Sequence, residues 1–199
     1  MLRQDPDSPI RPVTETSLAD RQTGLRTLAE GELQAVLKRH HAWIASGWNM
    51  GQRANLANTD LHHADFRGVA LMLVDLHGAD LRGADLRDAD LESTDLRGAN
   101  LRMADLRGAC LQWADLEAGD LRRANLKGAN FREANLRSAD LRGANLRGAN
   151  FADAFGLTQP QLDAAYGDHA TALPPDLRVS VDAADEKLSC VLLPLKPKP

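Results

Sequence analysis

A five-residue period runs without insertion from Ala54 to Asp153 and is written twenty times. Its centres are Leu or Phe, at Leu56, Leu61, Phe66, Leu71, Leu76 and onward to Phe151. Two residues before each centre stands Ala, except at Thr59, Val69, Val74, Thr94 and Gly119. One before comes Asp or Asn, except at Ala70 and Cys110, and one after is Arg or Lys in twelve of the twenty units. The fifth place is often Gly, as at Gly83, Gly98 and Gly143. An α-helix advances about 100° per residue, so steps of five rotate successive Leu by about 140° and scatter them over every face. A long strand alternates with period two, so an odd repeat throws each next Leu to the opposite side. A very short extended piece resolves both conflicts. Ala and Leu, two apart, share its inner side, and Asp/Asn and Arg share its outer side. The Gly-rich fifth place then turns the chain, because Gly tolerates positive φ. Extension, turn and repetition give a coil with Leu and Ala always inward.

Units such as Ala79-Asp80-Leu81-Arg82-Gly83 and Ala144-Asn145-Leu146-Arg147-Gly148 match the motif A(D/N)LXX in full. In these residues the chain resembles the pentapeptide repeat family. The resemblance covers about half the chain, from Ala54 to Asp153. It implies an all-β solenoid, a right-handed quadrilateral β-helix with four units per coil. Twenty units then make about five coils, a rod roughly 24 Å long at about 4.8 Å between stacked strands.

The flanks read differently. Residues 1–26, rich in Asp, Ser, Thr, Pro and Gln, carry no periodic apolar residues and are expected to form a mobile arm. From Thr27 to Ser46 the period becomes helical, with Leu33, Val36, Leu37, His40 and Ile44 on one face. Thr27 and Glu30 have capping-box spacing, Gly31 allows a later start, and Gly47 suits the C′ position. This helix and its lead-in, residues 27–53, are expected to cover the strand edges and the disc of Leu at the first coil. After Phe151 the motif fails. Residues 154–177 are expected to close the other end, with a short helix capped by Thr158, started at Pro160 and ended by Gly167. Residues 178–199, ending Lys196-Pro197-Lys198-Pro199, read as a flexible tail.

Composition bounds the function classes. A net charge of −4 gives no whole-protein field that favours nucleic acid or an anionic membrane. Cys110 and Cys190 lie in unlike contexts, so reduced thiols in a cytoplasm are expected rather than a disulfide framework. The N-terminus lacks an apolar h-region, and no apolar run approaches a membrane span.

With four units per coil, residues twenty apart stack, and the outward positions sort onto four faces. Two adjacent faces carry basic ladders: His62, Arg82, Arg102, Arg122 and Arg142, then Arg67, Arg87, Arg107, Lys127 and Arg147. Asp80, Asp120 and Asp140 accompany the first; Asp65, Asp85 and Asp105 accompany the second. Both ladders suit a solvated surface, and an anionic partner is the functional alternative. A third face carries Ala70, Met72, Leu73, Cys110, Gln112 and Trp113, including both losses of the Asp/Asn position. Apolar residues clustered at exposed positions meet something. Flanking sequence, a protein partner or a second copy of the chain are the candidates, and Trp113 is the natural anchor.

No catalytic constellation emerges. His40 lies on an apolar helix face and reads as a packed histidine. His62, His63 and His77 do not converge, no cysteine pair has metal spacing, and Cys110 has no adjacent base. The expectation is a non-enzymatic module, without metal or cofactor, that binds a protein partner or itself through a rod face. Direct nucleic-acid binding is not expected. The family resemblance offers an alternative, a DNA-mimicking protein that binds a type II topoisomerase such as gyrase and confers inhibitor resistance. Such mimicry needs a strongly acidic surface. The repeat holds sixteen Asp/Glu against thirteen Lys/Arg, an excess of only three negative charges.

Overall fold

A computed structural model describes residues 24–29 and 31–179. The repeat folds as the period demands. Bridges are parallel, a single residue long, and join positions twenty apart, from Asn55 with Asp75 to Asn130 with Asn150. They form four ladders, here named by their first centres: the Leu56, Leu61, Phe66 and Leu71 faces. Each bridge is held by two backbone bonds. The Leu56 N–H donates to Asp75 O at 2.7 Å, and the Asp75 N–H donates to Ala54 O at 3.2 Å. The extended pieces are shorter than expected for a strand, because the turn begins directly after each centre.

All twenty centres are at most 1% exposed. Phe131 and Phe151 stack with ring centroids 4.8 Å apart. Where the small position is Thr rather than Ala, the hydroxyl is satisfied locally: Thr94 Oγ1 donates to Leu71 O at 2.9 Å. Two residues after every centre the backbone is left-handed. Gly fills this corner in eight units, such as Gly98 at φ 62, and other residues fill the remaining twelve, including Met103, Trp113 and Arg123 at φ 58. A non-glycine residue there costs about 1–2 kcal/mol.

Helix α1 spans Glu32–Ala45. The capping box expected at Thr27 does not start it. The helix begins five residues later behind Gly31, whose φ of 76 no helix interior accepts. Glu32 instead accepts the Ala29 N–H at 3.0 Å and pairs with Arg26 at 2.7 Å. Gly47 takes the C′ position: its N–H donates to Ile44 O and the Trp48 N–H to Trp43 O, at 3.0 and 2.8 Å. Leu33, Leu37 and His40 are buried; Val36 and Ile44 are half-buried. Arg26, expected in the mobile arm, in fact pairs with Thr59 and so adds to the first coil on the Leu61 face. The remainder of that arm before Gly24 lies outside the described residues.

At the other end, pairing outlasts the motif. Phe155 bridges Asn135, Tyr166 bridges Asn145 and Ala172 bridges Asn150. Helix α2 spans Gln159–Asp163 and starts at Thr158, as expected, with the Thr158 N–H donating to Gln161 Oε1 at 2.8 Å. It stops at Ala164, short of Gly167. Gly167 is buried, and a side chain there would meet Val179 at 2.7 Å. Arg178 and Val179, expected in a flexible tail, are also fixed. The Arg178 N–H donates to Gln159 Oε1 at 3.1 Å, and Val179 packs on the core. The tail from residue 180 lies outside the described residues. Among the described residues, no helix is long and apolar enough to cross a membrane.

Candidate interaction faces

The Leu71 face begins under α1. His40 is fully buried, and its ring is fixed from both sides. The Ala54 N–H donates to Nδ1 at 3.2 Å, so Nε2 carries the proton and donates to Met72 O at 3.0 Å. Next to it, His41 Nε2 donates to Ala70 O at 3.0 Å, and Arg53 Nε donates to Leu73 O at 2.6 Å. The carbonyls of Ala70 and Met72 face away from the next coil and have no coil above to pair with. The histidines supply the missing donors. Ala70, Met72 and Leu73 are thus tied to the N-terminal flank and half-buried.

Burial holds the His40 pKa below its ordinary 6.5; the bond to Met72 O opposes this, and the neighbouring His41 and Arg53 add to the lowering. Trp43, stacked on the ring, brings no carboxylate to offset them. The sign follows. Below about pH 6.5 the unfolded chain takes up a proton that the folded chain refuses, so stability falls as pH falls. Stability from urea midpoints should fall between pH 7.5 and 5.5, with about 1.4 kcal/mol per pH unit as the ceiling for one group. His40→Gln should remove that part of the slope.

Cys110, Gln112 and Trp113 lie farther along the same face, two coils below Ala70, Met72 and Leu73. Trp113 is 48% exposed, and its indole N–H donates to Glu133 Oε2 at 3.0 Å. The six sequence-selected residues therefore divide into two groups: three hold the cap, and three lie clear of it, with Trp113 exposed and Cys110 and Gln112 half-buried. The Cys110 thiol is pushed up by burial and by the nearby Asp90 and Glu92, so it is a poor nucleophile.

Asp90, Glu92 and Cys110 bring three possible ligand atoms within 4.8 Å of one another, as do Asp75, His77 and Asp95. Sequence reading missed both groups because their members are separated by a full coil. In the second group the atoms are already engaged. His77 Nδ1 lies 2.8 Å from Asp75, and Arg97 bonds Asp95 at 2.6 Å.

On the basic faces one arrangement recurs. Arg67, Arg82, Arg87, Arg107, Arg122 and Arg142 each bond the Asp two residues earlier, with Nη2 to Oδ2 at 2.5–2.7 Å. Asp120 and Asp140 are held below their ordinary pKa by these partners, against the opposing effect of burial. Arg102 and Lys127 have Asn100 and Asn125 in that place.

The match to known proteins agrees with this geometry. The pentapeptide repeats family model matches in eight copies, over residues 52–88, 84–123 and 109–153. QnrB1, a plasmid-mediated fluoroquinolone resistance protein, is similar at TM-score 0.54 and 20% identity, covering 72% of this chain and 75% of that one. A pentapeptide repeat protein of the Arabidopsis thaliana thylakoid lumen is 30% identical over 46% of this chain, at TM-score 0.45. Rfr23 of the cyanobacterium Cyanothece 51142 is 34% identical over 54%, at TM-score 0.35. The chain covers 63% and 65% of the length of these last two. No curated protein sequence matches it. Four bridge ladders twenty residues apart, an interior of Leu, Phe and Ala, and a family match across the whole repeat lead to one conclusion: the chain belongs to the pentapeptide repeat family, whose β-solenoid fold it shares.

Proposed function

We propose that this protein is a non-catalytic scaffold, a right-handed quadrilateral rod of about five coils that binds a protein partner through the open part of its Leu71 face. The observation that carries the reading is Trp113. A large aromatic stands half-exposed on a left-handed corner that Gly would occupy at lower cost, with its indole fixed by Glu133. Eleven other non-glycine residues accept the same corner, so it is the exposed aromatic surface rather than the conformation that favours a role outside the fold. The core gives no competing reason for Trp there, since the side chain points away from it.

A DNA-mimicking role fits less well. On the Leu61 and Phe66 faces together, ten Lys/Arg stand against eight Asp/Glu, which breaks the continuous acidic surface such mimicry needs.

Affinity purification from the native cell, with wild type and Trp113→Gly side by side, tests the proposal. Wild type should retain a partner that the variant loses, because truncating an interface anchor costs about 2 kcal/mol or more. The variant's unfolding free energy should stay within about 1 kcal/mol of wild type, since Gly relieves the corner while gaining entropy when unfolded. Identical recovery from both would remove Trp113 as the anchor.

A further inference from the structure

Six cations on the two basic faces are neutralised in place by an Asp two residues earlier. Arg102, Arg123 and Lys127 are not: among the described residues none of the three has a carboxylate within ion-pair distance. The reason is local. At Asn100 and Asn125, Oδ1 still accepts the backbone N–H of Arg102 and of Lys127, at 3.3 and 3.4 Å, as the Asp residues do elsewhere. What is missing is the second carboxylate oxygen that the cation would grip. Arg123 has no such position at all, because it occupies a corner, and its stem extends along the rod above Gly143.

These three cations are exposed and cluster within two successive coils on adjoining faces. Met103, 65% exposed, stands directly beside Arg102. The Asp residues among them, Asp120 and Asp140, are bound to Arg122 and Arg142, so the local excess is three positive charges. Elsewhere on these faces the six Arg–Asp pairs recur, Asp88 adds a further acid, and Arg147 follows Asn145 as Lys127 follows Asn125.

We infer that this corner is a second docking surface, distinct from the Trp113 face, and that it takes an extended acidic peptide segment of a partner protein. The empty places are carboxylate places: their six counterparts show a planar carboxylate gripped by the cation two residues on. Arg102 and Arg123 lie on successive coils, which stack about 4.8 Å apart, and Lys127 lies on the adjoining face, so the three are offset steps that alternate side chains of an extended peptide can follow. Such a peptide can set its carboxylates at Arg102, Arg123 and Lys127 and bypass Asp120 and Asp140. An unbroken polyphosphate track, charged at every unit, sets some of its charges at Asp120 and Asp140, whose Arg partners are already taken. Met103 offers an apolar contact that a peptide side chain can use.

The test is fluorescence anisotropy at low salt with a fluorescein-labelled peptide of alternating Glu and Ser, beside an oligothymidylate of equal charge. Wild type should bind the peptide more tightly than the oligonucleotide. Joint Arg102→Gln, Arg123→Gln and Lys127→Gln should weaken peptide binding by about tenfold, the loss of three exposed ion pairs. Joint Arg67→Gln, Arg82→Gln and Arg87→Gln removes the same net charge from paired positions and should keep most of the affinity. Asn100→Asp with Asn125→Asp fills both places from within and should abolish much of the binding. Circular dichroism reports that each variant is folded. No binding by wild type overturns the inference, as do equal losses in the two triple variants or full binding by the Asp variant. Tighter binding of the oligonucleotide assigns the surface to nucleic acid instead and overturns the peptide.

Discussion

Phe131→Ala should lower the unfolding free energy by about 3–5 kcal/mol, the largest single-residue effect expected in this chain. Phe131 is fully buried and stacks on Phe151 at 4.8 Å with planes 12° apart. Truncation removes the transfer free energy of the ring and leaves a cavity. It also forfeits a ring pair that contributes about 0.5–1.5 kcal/mol beyond its area. The surrounding coil cannot collapse into the space, because each backbone piece is pinned by bonds to the coil on either side. The Phe131 N–H donates to Asn150 O at 2.7 Å, and the Asn130 N–H to Ala109 O at 2.9 Å. The thermal midpoint should fall by roughly ten degrees. Leu101→Ala, at a centre without a stacked ring, should cost less, at about 2–4 kcal/mol. Equal losses at the two positions would show that the ring pair adds nothing.

Gly51→Ala should detach the N-terminal cap while leaving the repeat folded. Gly51 has φ 86, and a Cβ there would overlap Arg39 O and lie 2.8 Å from Trp43 N, both on α1. Backbone atoms of a helix cannot move aside singly, so the whole helix must shift. The expected cost is about 2–4 kcal/mol, combining the left-handed conformation with the overlap. Gly98→Ala is the control. Gly98 has φ 62 and nothing within 4 Å of the added carbon, so it should lose only the conformational part, about 1–2 kcal/mol. Hydrogen exchange distinguishes the two. In Gly51→Ala the amides of α1 and of Ala54, which donates to His40, should exchange faster while those from Leu76 onward stay protected. Uniform loss of protection would mean that the cap and the rod unfold as one unit.

The repeat was legible because its information is periodic. Each Leu or Phe centre declares an inward position, and the odd step between centres admits few backbones. The corner was legible only in part. Gly83 and Gly143 advertise positive φ, whereas Trp113 and Arg123 adopt the same conformation without any signal of their own, and only their phase reveals it. The ends were harder to read because pairing there leaves the twenty-residue register. Tyr166 bridges a residue twenty-one positions back and Ala172 one twenty-two back, so no motif marks them. The helix start was misplaced for a related reason. Thr27 and Glu30 have the spacing of a capping box, but Arg26 bridges Thr59 in the first coil and binds Glu32, fixing the chain ahead of the helix. Of the apolar face, the sequence showed which residues were unlike their neighbours. It could not show that Ala70 and Met72 matter through their carbonyls, because backbone groups carry no signature in a sequence. The unpaired cations were half-legible. Asn100 and Asn125 are visible as departures from Asp, but their consequence needs the observed bond from each Arg to the residue two before it.

The two ends of the rod are sealed by different chemistry. Imidazoles and a guanidinium close the first coil. At the last, Gln161 Nε2 donates to Leu136 O and Ala139 O at 3.0 and 2.8 Å, and Thr171 Oγ1 donates to Leu146 O at 3.1 Å. Amide and hydroxyl groups do not ionise in the range where histidine does. Mild acid therefore weakens the bonds from His40 and leaves these amide and hydroxyl bonds intact, so a rod that peels coil by coil acquires a direction. It should unravel from the side of His40, with the Ala70 end of the Leu71 face loosening before Trp113 and the Arg123 corner, which lie deeper in the stack.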